Sequence, residues 1–337
     1  MKYFIKRVSL FVIILAGVLS LSLVIQLLII SKSKSIFKIK ESRTILVLGD
    51  SHTECALNDS IIKSVVNISS SADAYIYSYL KLKKFVEVNP QINTIILGFG
   101  YHDLGLSLER WTYDDKFMVE KFPKYFCLMD GDDFFEIVKS KPQSLPKLIP
   151  EIYRNTLKLA IKSILKQDFK QAGFGNFIDL HYNKLKDDIE RIKKQKNEDE
   201  INFHYSPNQV KYLLLISEYC ALHNLKLILL ATPIYKNLRI SSELMKGYYY
   251  QFYNKYLSEN ILLDFSNENL AESYFADSEH LNSFGAKYFS KFINYKLTAL
   301  IKNEKELSNA SPSLPIKKYF NATQSPYFLS HKIKITF

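Results

Sequence analysis

The chain has 337 residues, 47% of them hydrophobic, enough to bury a full core in one large domain or two small ones. Its formal charge is +11, but residues 1–43 hold eight Lys/Arg against the single acid Glu41, which leaves +4 for everything after them. That distribution, with no RNA- or DNA-binding signature, excludes nucleic acid as the main partner. The three cysteines (Cys55, Cys127, Cys220) lack metal spacing and read as buried thiols.

Val8–Ile30 is 23 residues without a charge and with one amide, Gln26. That length predicts a membrane-spanning helix. A cleaved signal peptide is the rival, but its apolar region is ordinarily shorter, and no small-residue cleavage site follows. Lys2, Lys6 and Arg7 precede the span; Lys32, Lys34, Lys38, Lys40 and Arg43 follow it, so charge counting slightly disfavours an external C-terminal domain. The expected organisation is a membrane anchor over 1–30, a basic Ser/Lys linker over 31–43, an α/β domain over 44–303 and an irregular tail over 304–337 marked by Pro312, Pro315 and Pro326.

Within the domain, strands are expected at Thr44–Leu48, Ser64–Ile68, Asn93–Leu97, Leu225–Ala231 and Ile261–Phe265. Helices are expected from about Ser51 to Ile62, at Tyr75–Val88, Asn208–His223 and Ser241–Leu257, and from Phe284 to about Ile301. Pro233 closes the fourth strand because it has no N–H for a ladder. Strands separated by helices long enough for crossovers predict a five-stranded parallel sheet with helices on both faces.

From about 104 to 207 the rhythm fails, and the stretch reads as a mainly helical insertion with two helices. Arg154, Lys158, Lys162, Lys166 and Lys170 form a ladder at four-residue spacing, hence one helical face. A solvated surface is the plainer reading of that face, and an anionic polymer or lipid headgroups the sharper one. The Arg191–Glu200 run reads as solvated helix. His181, His204 and His223 share no ligand spacing, so no metal and no cofactor are expected.

The chemistry is expected at the carboxyl ends of the strands, where open parallel sheets bind ligands. The first strand runs into Gly49-Asp50-Ser51-His52, the second into Ser69–Ala72, the third into Gly100-Tyr101-His102-Asp103, and Asp277-Ser278-Glu279-His280 follows the fifth. All four segments fall on one edge. Ser51 is the candidate nucleophile, His280 its base, and Asp277 the group that fixes the imidazole tautomer. Expected oxyanion donors are the Ser51 N–H, a backbone N–H near Ser71, and a side chain at the end of the third strand, His102. Asp50 is expected to stabilise the nucleophile turn. Alternative readings of the same residues are a helix N-cap for Ser51 and a structural loop histidine for His280. His52 and Glu54 are pocket-lining candidates or ordinary first-turn residues.

These blocks resemble the SGNH (GDSL-type) esterase and acyltransferase superfamily over roughly Thr44–Asp103 and Leu225–Ile301. Gly49-Asp50-Ser51 matches the first signature block, and Asp277 and His280, followed by Leu281, Asn282 and Gly285, match the last. Two blocks depart. The glycine of the second falls among Ser70, Ser71 and Ala72, and His102 stands where the family carries an asparagine after Gly100. The resemblance implies a flavodoxin-like sheet and an esterase or deacylase acting on acyl esters, such as those of cell-envelope carbohydrate. It equally implies an O-acyltransferase working with envelope polysaccharide-modification partners, with the domain outside the cytoplasm. The departures leave open a third reading, a catalytically degenerate binding or scaffold subunit.

Overall fold

The computed structural model describes residues 1–195, 203–235 and 243–310. Expected features that fall elsewhere, namely the end of the Arg191–Glu200 run, Ser241 and most of the tail, lie outside the described residues. The chain divides into two units, Met1–Phe292 and Ile293–Phe337. The described part of the second is helix.

The first unit is built on one parallel sheet: β1 (Ile45–Leu48), β2 (Val65–Asn67), β3 (Thr94–Gly98), β4 (Lys226–Ala231) and β5 (Ile261–Asp264). Their order across the sheet is β2-β1-β3-β4-β5. Every pairing is parallel, with Val47 beside Asn67 on one side and Ile96 on the other. This is the flavodoxin-like order, in which the direction of winding reverses between β1 and β3 and leaves a crevice at their carboxyl ends. β1 is buried on both faces, which is why it reads as an unbroken apolar run.

Twelve α-helices accompany the sheet among the described residues. α1 (Lys2–Lys32) is the one helix there long and apolar enough to cross a membrane. α2 (Ser51–Ala56) follows β1, and α3 (Tyr75–Val88) joins β2 to β3. The insertion holds six helices rather than two: α4 (Arg110–Tyr113), α5 (Asp115–Tyr125), α6 (Gly131–Ser140), α7 (Leu145–Ile164), α8 (Phe169–Ala172) and α9 (Leu185–Gln195). The Asp130 and Asp168 capping boxes start α6 and α8 where charge and proline concealed any apolar period. α10 (Pro207–Leu222) and α11 (Glu243–Tyr256) flank β4, and α12 (Ser283–Ala310) runs past 304, where the irregular tail was expected to begin.

The 31–43 stretch is not a free spacer. Ile36, Phe37 and Ile39 are buried in the core, with Phe37 5.2 Å from Phe174 and 5.8 Å from Phe85 between ring centroids. Asn89 ties it down: its side-chain oxygen accepts from the Ile39 N–H at 2.7 Å, and its amide donates to the Phe37 carbonyl at 2.8 Å. Lysines at alternate positions hid three apolar residues inside a basic composition. The last turns of α1 dock likewise, through Ser22 to Tyr153 at 2.8 Å and Thr156 to Gln26 at 2.6 Å on α7.

Candidate active site

Gly49 makes the turn from β1 into α2. Its φ is +142°, and a Cβ there would sit 2.5 Å from Thr53 Oγ1, so only glycine fits. Asp50 caps α2 by accepting the His52 N–H at 2.9 Å, which places Ser51 at the first helical position with its hydroxyl on the sheet edge.

The partner residues arrive on a loop after β5. A bridge between Phe275 and Leu281, with the Ala276 N–H bonded to the His280 carbonyl at 2.9 Å, pinches off Asp277–His280 as a tight turn. Asp277 Oδ1 accepts the Glu279 and His280 N–H groups at 2.9 and 2.8 Å. The same carboxylate faces His280 Nδ1 at 2.9 and 3.0 Å from its two oxygens, and His280 Nε2 lies 2.8 Å from Ser51 Oγ. Nδ1–H donation to Asp277 leaves Nε2 as the acceptor of the serine proton.

Burial alone would raise the Asp277 carboxyl, but its bonds from His280, Glu279 and Tyr182 outweigh that and hold it well below the ordinary carboxylate range. Burial would depress His280; the Asp277 carboxylate overrides it and raises the imidazole above its ordinary value.

The remaining expected residues stand nearby with their hydrogen bonds committed. The Ser71 N–H donates to Glu54 Oε2 at 2.8 Å, and the Ser71 hydroxyl bonds to the same oxygen. Ser70 N–H is held by the Gly49 carbonyl at 3.1 Å. Neither of these N–H groups points to a developing oxyanion. His102 Nε2 lies between Asp50 Oδ2 at 3.2 Å and Asp103 Oδ1 at 3.1 Å. Burial opposes its charge, yet Asp103 and Asp50 raise its pKa well above normal. Asp50 is correspondingly held low by His52 and His102 against its own burial. Gly100 begins this turn, its N–H donating to Asp103 Oδ2. The Ser51 N–H has no partner among the described residues, as befits the first N–H of a helix.

His52 lies between the two clusters, its ring centroid 5.1 Å from His280 and 4.3 Å from His102. Asp50, His52 and His102 form one donor group with metal-like proximity, and His52, Glu279 and His280 another. Coordinating a cation at the first would cost Asp50 its bonds to both rings. A cavity of about 130 Å³ lies at the same sheet edge, with Asp50, His52, Gly100, His102 and Glu279 on its wall and Gly98 and Ala231 from the strand ends; Ser51 and His280 themselves do not line it.

Sequence reasoning missed what the insertion contributes. A non-helical strap over 174–184 crosses the sheet edge, its Ile178 N–H bonded to the Glu54 carbonyl and its Leu180 carbonyl to the Ser283 N–H. Tyr182 on this strap donates its hydroxyl to Asp277 Oδ2 at 2.9 Å. On α9, Asp188 accepts the Ser278 N–H at 3.1 Å. Behind the second strand, buried Asp73 pairs with buried Lys81 at 2.7 Å and Lys121 at 3.1 Å, and accepts the Tyr125 hydroxyl. Lys124 reaches Ser70 Oγ at 3.2 Å, and burial lowers its pKa to about 8. These bonds clamp the Ser69–Asp73 loop from the insertion.

No family model matches the chain, and no curated protein matches it.

Proposed function

We propose that this protein is a membrane-anchored serine esterase or deacylase of the SGNH type, acting on acyl esters. One observation carries the reading: Ser51 Oγ and His280 Nε2, from opposite ends of the domain's sequence, stand 2.8 Å apart with Asp277 behind the imidazole. Ser51 Oγ attacks the acyl carbonyl while its proton passes to His280 Nε2. The tetrahedral adduct collapses to an acyl-serine as that proton moves to the departing alkoxide. Water then attacks the acyl carbon, loses its proton to His280, and releases the acid and free Ser51. The unpaired Ser51 N–H is the donor assigned to the oxyanion.

α1, long and apolar enough to span a bilayer, is the anchor in this reading. Placement of the domain outside the cytoplasm, and acylated envelope carbohydrate as substrate, rest on the resemblance of the four sequence blocks. An O-acyltransferase follows from the same triad if a sugar hydroxyl replaces water in the second half-reaction. The engagement of Ser71 with Glu54 and of His102 with Asp50 and Asp103 favours a second reading, an SGNH-like binding subunit with too few oxyanion donors for rapid turnover.

A fluorophosphonate probe on the full chain in detergent separates these readings. Covalent labelling that disappears in Ser51→Ala supports the hydrolase; folded protein that resists the probe supports the binding subunit. Acyl release without added acceptor then distinguishes hydrolysis from transfer.

A further inference from the structure

We infer that α7 and the end of α1 together form a docking surface for the bilayer, with a basic groove that takes the phosphate of anionic lipid headgroups. This rests on reading α1 as the membrane anchor. It concerns a part of the molecule remote in sequence from Ser51 and His280.

α1 and α7 lie side by side and run in the same direction, since Ser22 meets Tyr153 and Gln26 meets Thr156. Where α7 covers it, α1 still leaves Leu21, Val24, Ile25 and Leu28 about half exposed on its outer side. α7 continues that apolar surface. Leu157, Ile161 and Ile164 recur at helical spacing along one stripe and are 42%, 48% and 64% exposed. Ile164 and Ile29 line one open groove at the ends of the two helices, so the stripes are contiguous. Next to this stripe, on the side away from α1, come Arg154, Lys158 and Lys162; the expected single-face ladder stops there, because α7 ends at Ile164, Lys166 lies beyond it at a φ of +53° and Lys170 sits on α8. A bare aliphatic stripe flanked by lysines, laid alongside a membrane-entering helix, suits contact with acyl chains while the lysine ammonium groups reach toward the headgroups.

The ladder is not wholly a solvated face. Arg154 pairs with Glu151, Lys162 donates to the Gln171 carbonyl, and Lys170 pairs with Asp59 at 3.1 Å. Lys158 and Lys166 have no carboxylate partner among the described residues, and neither do Lys32 and Lys34. Lys32, Lys34 and Lys166 converge on the groove, with Ser33, Ser35 and Ser163 between them. Three ammonium groups above two isoleucines match a lipid phosphate with its acyl chains below; of the hydroxyls, Ser33 and Ser35 bond each other at 3.1 Å and Ser163 donates to the Leu159 carbonyl at 2.8 Å. A helix of another protein seated on the stripe would leave these cations in an apolar contact without counter-charge, which is costly. Anionic headgroups supply that charge.

The test uses the full chain in nanodiscs of phosphatidylcholine with phosphatidylglycerol. An environment-sensitive fluorophore is placed at Leu157→Cys or Ile161→Cys, at Leu15→Cys in the anchor, and at Leu222→Cys on the exposed end of α10. Signal is corrected for the unsubstituted chain. Doxyl-labelled lipid should quench the α7 and anchor probes and leave the Leu222 probe bright. Doxyl-phosphatidylglycerol should quench the Ile161 probe more than doxyl-phosphatidylcholine does. That preference should fall about fivefold for each of Lys32→Gln, Lys34→Gln and Lys166→Gln. Should the α7 probes behave like Leu222 while the anchor probe is quenched, the docking surface is refuted and the anchor stands. An unquenched anchor probe overturns both. α7 probes shielded from water but unquenched by lipid, and cross-linking between copies, would replace lipid by a protein contact and overturn the inference. Equal quenching by the two lipids refutes the groove.

Discussion

Replacing Asp277 with Asn tests the proposed chemistry at its most sensitive atom. The carboxylate now holds four donors: the Glu279 and His280 N–H groups on Oδ1, the Tyr182 hydroxyl on Oδ2, and the His280 Nδ1–H between them. Asn keeps an oxygen for the two backbone groups, so the turn survives. Its NH₂ then occupies the Oδ2 position and meets Nδ1, which must turn from donor to acceptor. The ring proton moves to Nε2, and Ser51 loses its base. A tautomer reversal of this kind costs about 10⁴ in turnover, or ~5.5 kcal/mol of barrier, whereas the lost charged hydrogen bond costs only ~1–3 kcal/mol of stability. The assay is the rate of fluorophosphonate labelling of the full chain against pH, with melting temperature as the folding control. Because His280 is raised above its ordinary 6.5, the wild-type rate should climb with pH and reach its midpoint above that value. If Asp277→Asn labels within tenfold of wild type, or the wild-type rate is flat through neutral pH, the triad reasoning fails.

Three further outcomes are expected. Tyr182→Phe removes one bond to Asp277 and should slow labelling about fivefold to tenfold while lowering the melting temperature by only a few degrees; no kinetic change would make the strap a packing element only. Asp73→Asn leaves Lys81 and Lys121 buried without their carboxylate and should cost about 3–5 kcal/mol in denaturant unfolding. The folded Asp73 is held below its ordinary 3.8, chiefly by the lysines against burial, so its contribution is present above that pH and lost as pH falls through the folded value. Melting temperature should therefore drop more steeply below pH ~4 in wild type than in the variant. Gly49→Ala forces a Cβ against Thr53 Oγ1 at a positive φ and should destabilise by about 2–4 kcal/mol by the same measure.

The parts of the site legible in the sequence were those encoded by neighbours. Gly49-Asp50-Ser51 announces its own turn because glycine, cap and hydroxyl act within a few residues. Asp277 reaches His280 because a three-residue turn brings a carboxylate to a ring. Alternation of strand and helix pointed to a parallel sheet with helices on both faces, while its flavodoxin-like arrangement came from the resemblance of the four blocks. Strand ends on one edge then brought Ser51 toward His280 without any pairwise signal between them.

What the sequence withheld was every contact between groups with no periodic or local relation. Ser71 lies in the stretch expected to supply an oxyanion donor, yet Glu54 claims its N–H. That choice depends on how closely α2 and the loop after β2 pack. His102 occupies the expected turn, but two buried carboxylates turn its Nε2 inward, and their convergence exists only once β1 and β3 are paired. Nothing in the sequence singled out Lys81 and Lys121, and both are buried, because Asp73 neutralises them from another element. Composition and period thus determined the sheet, the apolar first helix and the edge on which chemistry can occur. Tertiary packing alone decided which hydrogen-bonding groups remain free there, since each bond is contested by residues far apart in the chain.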